Sequence, residues 1–518
     1  MTRNRTSHEG HRGLVYAACA GFVSLLFAGA IAANPKLALA LAGGAAALPL
    51  GLFAPAALVL AWIGSGPPLS TWLEVKVGAL PALTLDRVLL AWLLLVVGWR
   101  WLRRPQTILP LGRLEILMAW FLIVAAASAV WGGGSHGTET AAGPGLRGGL
   151  GLDLVRLALG YGLPFLGFFL TKNMLYRESH IRWLLRTLVA VGVIVAVIGI
   201  LQYLTGVTLF TPTRMEVIHA DRATGTLASA PEFGMVVGAP LLTAIVCFLR
   251  SRHIPERVVL AAAISIMVVS IVFSKTRAIW LGIVFGLFIA ALVEPTFRKR
   301  LLASGLAILL LLTAAWPLIA DSSFVRGRVL DMGPIYSRIV LTATSLNMFV
   351  HNPLFGLGFG RYTYLSKKAD YIVSVGHLTS YDAYGSGVPH NEYMHVLILL
   401  GLVGFVPYVA ILVLAWRTAA RHYRKPLAVS GLRRDVALIF LSAFTLYLTA
   451  ACTSDAIFFG YSSIQVYSLL GAIDGLRVRE SLSLEHGLLA ALPTPTHPTA
   501  SRLVAGRNRD ARLAARRR

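Results

Sequence analysis

The sequence predicts an all-α fold: a polytopic membrane protein of about 12 transmembrane helices, a short N-terminal hydrophobic hairpin and a long ordered periplasmic loop. Composition is the first reason. Of 518 residues, 56% are hydrophobic and 14% charged, where globular chains run near 45–50% and about 25%; the mean hydropathy is +0.71. A soluble chain of this length would divide into several domains, each needing a polar exterior that this composition does not supply. The second reason is spacing: apolar blocks of roughly 17 to 25 residues recur between short polar connectors, the length a helix needs to cross the hydrocarbon core. The third is a charge pattern that alternates from connector to connector.

In chain order the predicted spans are 14–34, 85–102, 112–131, 151–171, 182–204, 229–250, 256–274, 277–294, 300–320, 392–416, 433–452 and 455–475. The stretch 37–64 is also apolar, but Pro49 and Pro55 interrupt it, so it is expected to form a hairpin or re-entrant pair, or equivalently two short helices. Residues 1–13 form a basic cytoplasmic N-terminus, 14–204 an N-terminal transmembrane bundle, and 205–475 the membrane region expected to carry the chemistry, with its loop at 321–391. The stretch 476–518 is expected to be a disordered, basic cytoplasmic tail able to touch anionic headgroups. The first span follows basic residues, as a secretory leader does; without a small-residue cleavage site and a soluble domain after it, it is expected to stay uncleaved. Cys19, Cys247 and Cys452 all fall inside apolar spans, which suits packing better than a disulfide or a metal set.

The formal net charge of +24 is mostly a topology signal, and nucleic acid is not an expected partner. Arg100, Arg103, Arg104 and Arg113 share one connector, Lys172, Arg177, Arg182 and Arg186 another, and Arg250, Arg252 and Arg257 a third. Further clusters follow at Arg298–Arg300 and from Arg417 to Arg434. The positive-inside rule assigns these connectors and both termini to the cytoplasm, provided that 37–64 makes no net crossing. The expectation from charge is a multi-pass membrane protein with both termini cytoplasmic.

Cations that disobey this rule are the informative ones. Arg222 lies in an outer loop, Lys275 and Arg277 at a tight outer turn, and Arg338, Arg361, Lys367 and Lys368 in the long loop. A connection of that length is commonly functional; its helix-like content predicts an amphipathic helix near 334–351. In FSKTRAIWLG, Arg277 begins one helix directly after another ends. It either snorkels to headgroup phosphates or, with Lys275 and the hydroxyl donors Ser274 and Thr276, forms an anion site at a helix N-terminus. Arg222 either stabilises its turn or joins that site. Asp153 and Arg156, one turn apart, suggest a structural ion pair.

In VPHNEYMHVLILLGLVG, His390 and Asn391 stand where the long loop re-enters the membrane. Histidine is the side chain best suited to accept a proton at neutral pH; the alternative is an N-cap asparagine beside a passive histidine. Gly401 and Gly404 are expected to allow close helix packing.

The pattern of His390, Asn391, nine residues, Gly401, two residues and Gly404 resembles that of bacterial O-antigen ligases, and Arg277 with Leu281 resembles their RxxxL pattern. HNPLFGLGFG, 351–360, is similar to the segment that precedes the catalytic loop in the wider O-antigen ligase and polymerase superfamily. The likeness extends over roughly 200–475. Two departures stand out: Phe405 follows the GxxG where threonine is common, and ASAPEFG, with Glu232, replaces a turn that often contains Asn-Pro-Asn.

The resemblance implies a metal-independent inverting glycosyltransferase. It would move a glycan from a polyprenyl (undecaprenyl) diphosphate donor to the hydroxyl of a glycan, lipid A-core or other acceptor at the periplasmic face. Arg277, Arg222 and Lys275 would stabilise the leaving diphosphate, His390 would act as general base, Asn391 would orient the imidazole or a sugar hydroxyl, and Arg338 and Arg361 would hold diphosphate or acceptor. No cofactor is expected: DxD and HExxH are absent from the sequence. A transporter or flippase is the competing class, with ionisable residues at mid-membrane on discontinuous helices as its mark.

Overall fold

The computed structural model describes residues 54–69, 84–103, 108–132, 150–209, 222–319, 332–360, 364, 367–375, 388–424, 431–455 and 459–491. The expected span 14–34 with Cys19, most of the 37–64 hairpin, Arg361 and the final residues of the tail lie outside them. The described helices are α1 (Pro55–Leu69), α2 (Leu85–Arg103), α3 (Arg113–Gly132), α4 (Leu150–Met174), α5 (Glu178–Thr205), α6 (Ala230–Arg250) and α7 (Ile254–Phe273), followed by α8 (Arg277–Val293), α9 (Pro295–Ile319), α10 (Gly333–His351), α11 (Glu392–Arg424), α12 (Gly431–Ala451) and α13 (Gly460–Ala491). Met1–Gly475 form one compact unit and Leu476–Arg518 a second.

By length and composition, α3, α4, α5, α6, α7, α11 and α12 can cross a membrane, and α1 and α8 are shorter apolar helices. The expected count of about 12 is thus met in part among the described residues. At 455–475 the physical reason is visible: α13 buries Ser462, Ser463, Gln465, Ser468 and Asp474, which dilute its apolar character. The amphipathic helix expected near 334–351 is α10.

Lipid offers no hydrophobic drive between helices, so small residues set the close contacts. Gly282 and Gly286 of α8 lie against α12, where an added Cβ would stand 3.2 Å from the Leu446 backbone and 2.7 Å from the Ser442 carbonyl oxygen. Near the starts of α6 and α8, a Cβ on Gly234 would meet Ile279 at 2.8 Å.

These contacts define two ends of the bundle. At one end, α6 and α8 begin, α7 and α12 finish, and α11 enters, its Tyr393 hydroxyl donating to Leu448 O at 3.1 Å. At the opposite end, Arg250 meets Glu294 and Asp435, each at 2.6 Å, and Arg434 reaches Glu294 at 3.3 Å. Lys172, read from sequence as a connector charge, is instead 1% exposed. It pairs with Glu115 and, at 3.0 Å, with Asp474, because α4 continues to Met174 and carries the lysine into the bundle.

The largest departure from expectation is in α11. Gly401 adopts φ 58° and ψ −161°, so the helix is interrupted there. Segment 353–358 fills the break. Ile398 O and Leu399 O accept from Leu357 N and Gly358 N at 2.9 and 3.0 Å, and Leu402 N and Val403 N donate to Pro353 O and Leu354 O at 2.9 and 3.1 Å. A Cβ on Gly401 would collide with Leu354 O, and one on Gly356 (φ 68°) would stand 2.5 Å from Ile398 O. Gly401 therefore serves a helix break, not the helix–helix contact its spacing suggested. From the other side α3 holds the same segment: Phe359 N donates to Ser128 Oγ at 3.1 Å, Trp131 stacks on Phe355, and Gly358 abuts Gly132.

Gly401→Ala should cost about 3 kcal/mol or more, combining left-handed strain with overpacking. Gly98→Ala, in α2 with nothing within 4 Å of the added atom, should be neutral or raise stability by up to about 1 kcal/mol. Thermal unfolding in detergent measures both; equal midpoints would remove the structural role given to Gly401.

Candidate functional site

Only Ser274, Lys275 and Thr276 separate α7 from α8. A turn this tight needs a residue in the left-handed region, and Lys275 supplies it at φ 49°. Its ammonium lies 5.3 Å from the Tyr203 ring centroid, a cation–π contact. The hydroxyl donors expected here are engaged otherwise: Ser274 Oγ donates to Ile271 O at 2.7 Å and Thr276 Oγ1 to Ser274 O at 3.0 Å. The anion-binding capacity of the corner therefore rests on its cations.

Arg222 joins that corner. Ala223 N donates to Phe273 O at 3.0 Å, which seats the 222–229 turn against the end of α7. Gln202 of α5 holds the turn, its Oε1 accepting from Thr224 N and Gly225 N at 2.9 and 2.7 Å. From α10, Arg338 comes close enough to Arg277 for their charges to interact: burial and then the charge of Arg277 hold its guanidinium below the ordinary arginine value. Two like charges brought together at a half-buried site are stabilised by an anion between them.

His390 and Asn391 lie at the same end of the bundle. His390 is exposed with φ 50°, while Asn391 caps α11, its Oδ1 accepting from Met394 N at 3.1 Å. The Asn391 N–H donates to Asp455 Oδ1 at 3.1 Å. Sequence reading passed over Asp455, which is 2% exposed and lies 3.4 Å from His395 Nδ1. It also passed over Glu392, fully buried and bonded by the Tyr161 hydroxyl, and Tyr364, whose ring stacks over His395 at 6.5 Å. A signal existed for Asp455 and Glu392, since acidic residues number 23 in 518 and these two adjoin apolar spans.

Among the residues selected from sequence, the structure thus gathers Arg222, Lys275, Arg277 and Arg338 at one corner and His390 with Asn391 at the same end. Leu281 is 53% exposed on α8 and takes no part in either group. Gly401 and Gly404 lie deeper, at the break in α11. Asp153 and Arg156 form the expected ion pair at 2.9 Å, and the Asp153 carboxylate backs onto Gly360, just after the inserted segment.

The arrangement defines a multi-pass membrane protein with an arginine-rich corner and an exposed histidine at one end. Residues 262–409 match a family model described as O-antigen ligase. The match supports the resemblance to the O-antigen ligase and polymerase superfamily, and it includes Lys275, Arg277, Leu281, Arg338, His390, Asn391, Gly401 and Gly404; Arg222 precedes it. No curated protein matches the chain.

Inorganic pyrophosphate should raise the thermal midpoint of the purified protein, since an anion that binds only the folded state stabilises it. Arg338→Gln should abolish at least half of that rise, and Lys275→Gly should reduce it while leaving the ligand-free stability within about 1 kcal/mol. Undiminished shifts in both variants would show that the corner is not an anion site.

Proposed function

We propose that this protein is a membrane glycosyltransferase of the O-antigen ligase or polysaccharide polymerase type, acting at the periplasmic face on a polyprenyl diphosphate-linked glycan. The observation that carries the reading concerns backbone strain. Among the described residues, the non-glycine residues at positive φ are Lys275 and His390, both chosen from sequence for their chemistry. Such conformations cost of order 1–3 kcal/mol and concentrate where function requires them.

In the proposed reaction an acceptor hydroxyl attacks the anomeric carbon as the bond from that carbon to the diphosphate oxygen breaks. His390 takes the hydroxyl proton, worth about 10²–10⁴ in rate, and the bond electrons leave with the polyprenyl diphosphate. Arg277 and Arg338, with Lys275 and Arg222 beside them, neutralise charge developing on that leaving group. A single displacement inverts the anomeric configuration. Arginine charge supplies the stabilisation that a divalent ion would otherwise give, so the reaction is proposed to be metal-independent.

The interrupted helix α11 is the feature that most favours transport, since discontinuous helices often bind ions through freed backbone groups. Here Ile398 O, Leu399 O, Leu402 N and Val403 N are bonded to segment 353–358, which supports a scaffolding role for the break.

Purified protein should transfer glycan from a polyprenyl diphosphate donor in EDTA without nucleotide. His390→Ala and Arg277→Ala should each lower turnover by at least about 10² while the protein still inserts and purifies normally. Wild-type turnover in both variants would eliminate the assigned roles, and dependence on added divalent ions would eliminate the metal-free mechanism.

A further inference from the structure

Apart from the arginine corner, the Arg277 end of the bundle contains a cavity of about 230 Å³ lined by Asp86, Arg87, Arg156, Glu232, Tyr461 and Ile464, among others. It lies between the starts of α2, α6 and α13 and the first half of α4. Two carboxylates dominate it. Asp86 is 5% exposed; its Oδ1 is buried without a hydrogen-bond partner, and its Oδ2 accepts from the Tyr461 hydroxyl at 3.4 Å. Glu232 is 7% exposed, and its carboxylate makes no hydrogen bond or ion pair among the described residues.

Burying a carboxylate without a donor is costly, and such a group is stabilised when a ligand supplies the missing hydrogen bonds. The occupant's chemistry follows from the lining. Asp86 and Glu232 offer buried oxygens that lack hydrogen-bond partners, and Arg156 is already paired with Asp153 at 2.9 Å, so the cavity favours a neutral ligand that brings several hydroxyls of its own. An inorganic cation would face two guanidinium groups and a phosphate two carboxylates, both unfavourable. The volume is below the roughly 300–1,000 Å³ typical of drug-sized ligands and suits a single ring. Vicinal hydroxyls of a pyranose can both donate to one carboxylate while a guanidinium donates to a third oxygen.

We propose that this cavity is a specificity subsite for one neutral pyranose of the glycan being transferred. The identification of the ligand as a sugar rests on the glycosyltransferase reading above. Glu232 is fixed in the first turn of α6, whose N-cap Ser229 accepts from the Glu232 N–H. Its connection to the transfer site is physical: Asp153 bonds Arg156 at 2.9 Å and backs onto Gly360, just after the segment inserted into α11.

The test is saturation-transfer NMR on full-length protein in lipid nanodiscs, with methyl glucoside, galactoside, mannoside and N-acetylglucosaminide as neutral probes and methyl glucuronide and glucose 1-phosphate as charged ones. At least one neutral glycoside should bind in preference to both charged probes. Asp86→Asn and Glu232→Gln should each weaken that binding by about tenfold or more without lowering the thermal midpoint, and His390→Ala should retain it. Absence of neutral-glycoside binding, preference for a charged probe, or undiminished binding in both variants would overturn the subsite. Sugar binding that survives in a protein without transfer activity would count against the transferase reading alone.

Discussion

Four backbone hydrogen bonds between the two halves of α11 and segment 353–358 are the constraint on which the rest of this structure depends. A helix within a membrane cannot release its backbone groups to lipid, where each unsatisfied group costs several kcal/mol. Interrupting α11 is therefore feasible only when another piece of chain supplies partners, and segment 353–358 does so on both sides of Gly401. The insertion ties the return from α10 to α11, and α3 clamps it through Ser128, Trp131 and Gly132. His390 and Asn391, at the head of α11, and Arg338, on α10, are thereby attached to the same rigid piece.

Charge is arranged very differently at the two ends. Around Glu294, arginines 250 and 434 and the Tyr423 hydroxyl converge on one carboxylate, and Asp435 takes the other side of Arg250; this cluster is internally satisfied. At the other end Arg277 lies within electrostatic reach of Arg338, and the nearby Ser274 and Thr276 hydroxyls bond backbone carbonyls. Like charges held together by folded structure make a positive corner that favours an anionic ligand. The strain at Lys275 and His390 belongs to the same end, consistent with a site whose geometry is imposed by its surroundings.

Much of this was readable from sequence because its causes are local. Helix α10 was expected at 334–351 and spans Gly333–His351, since its amphipathic period is carried by consecutive residues. The Asp153–Arg156 pair follows from one helical turn, and Asn391 as an N-cap follows from its place before an apolar run. What could not be read depends on partners remote in the chain. Gly401 looked like a packing glycine because nothing near it announces segment 353–358, and Lys172 looked like a connector charge because Glu115 and Asp474 belong to other helices. Asp455 was overlooked for the same reason: its partners, Asn391 and His395, lie on α11. The sugar subsite inferred around Asp86 and Glu232 draws on α2, α4, α6 and α13 together, and no single motif encodes it.

The inserted segment is part of the membrane core and not a surface loop. Hydrogen–deuterium exchange of the protein in lipid nanodiscs tests it most directly, at the amides of Leu357, Gly358, Leu402 and Val403. Protection comparable to the interior of α12 is expected. Exchange at the rate of an exposed loop would mean that the insertion does not hold α11, and the common frame for His390 and Arg338 would be lost with it.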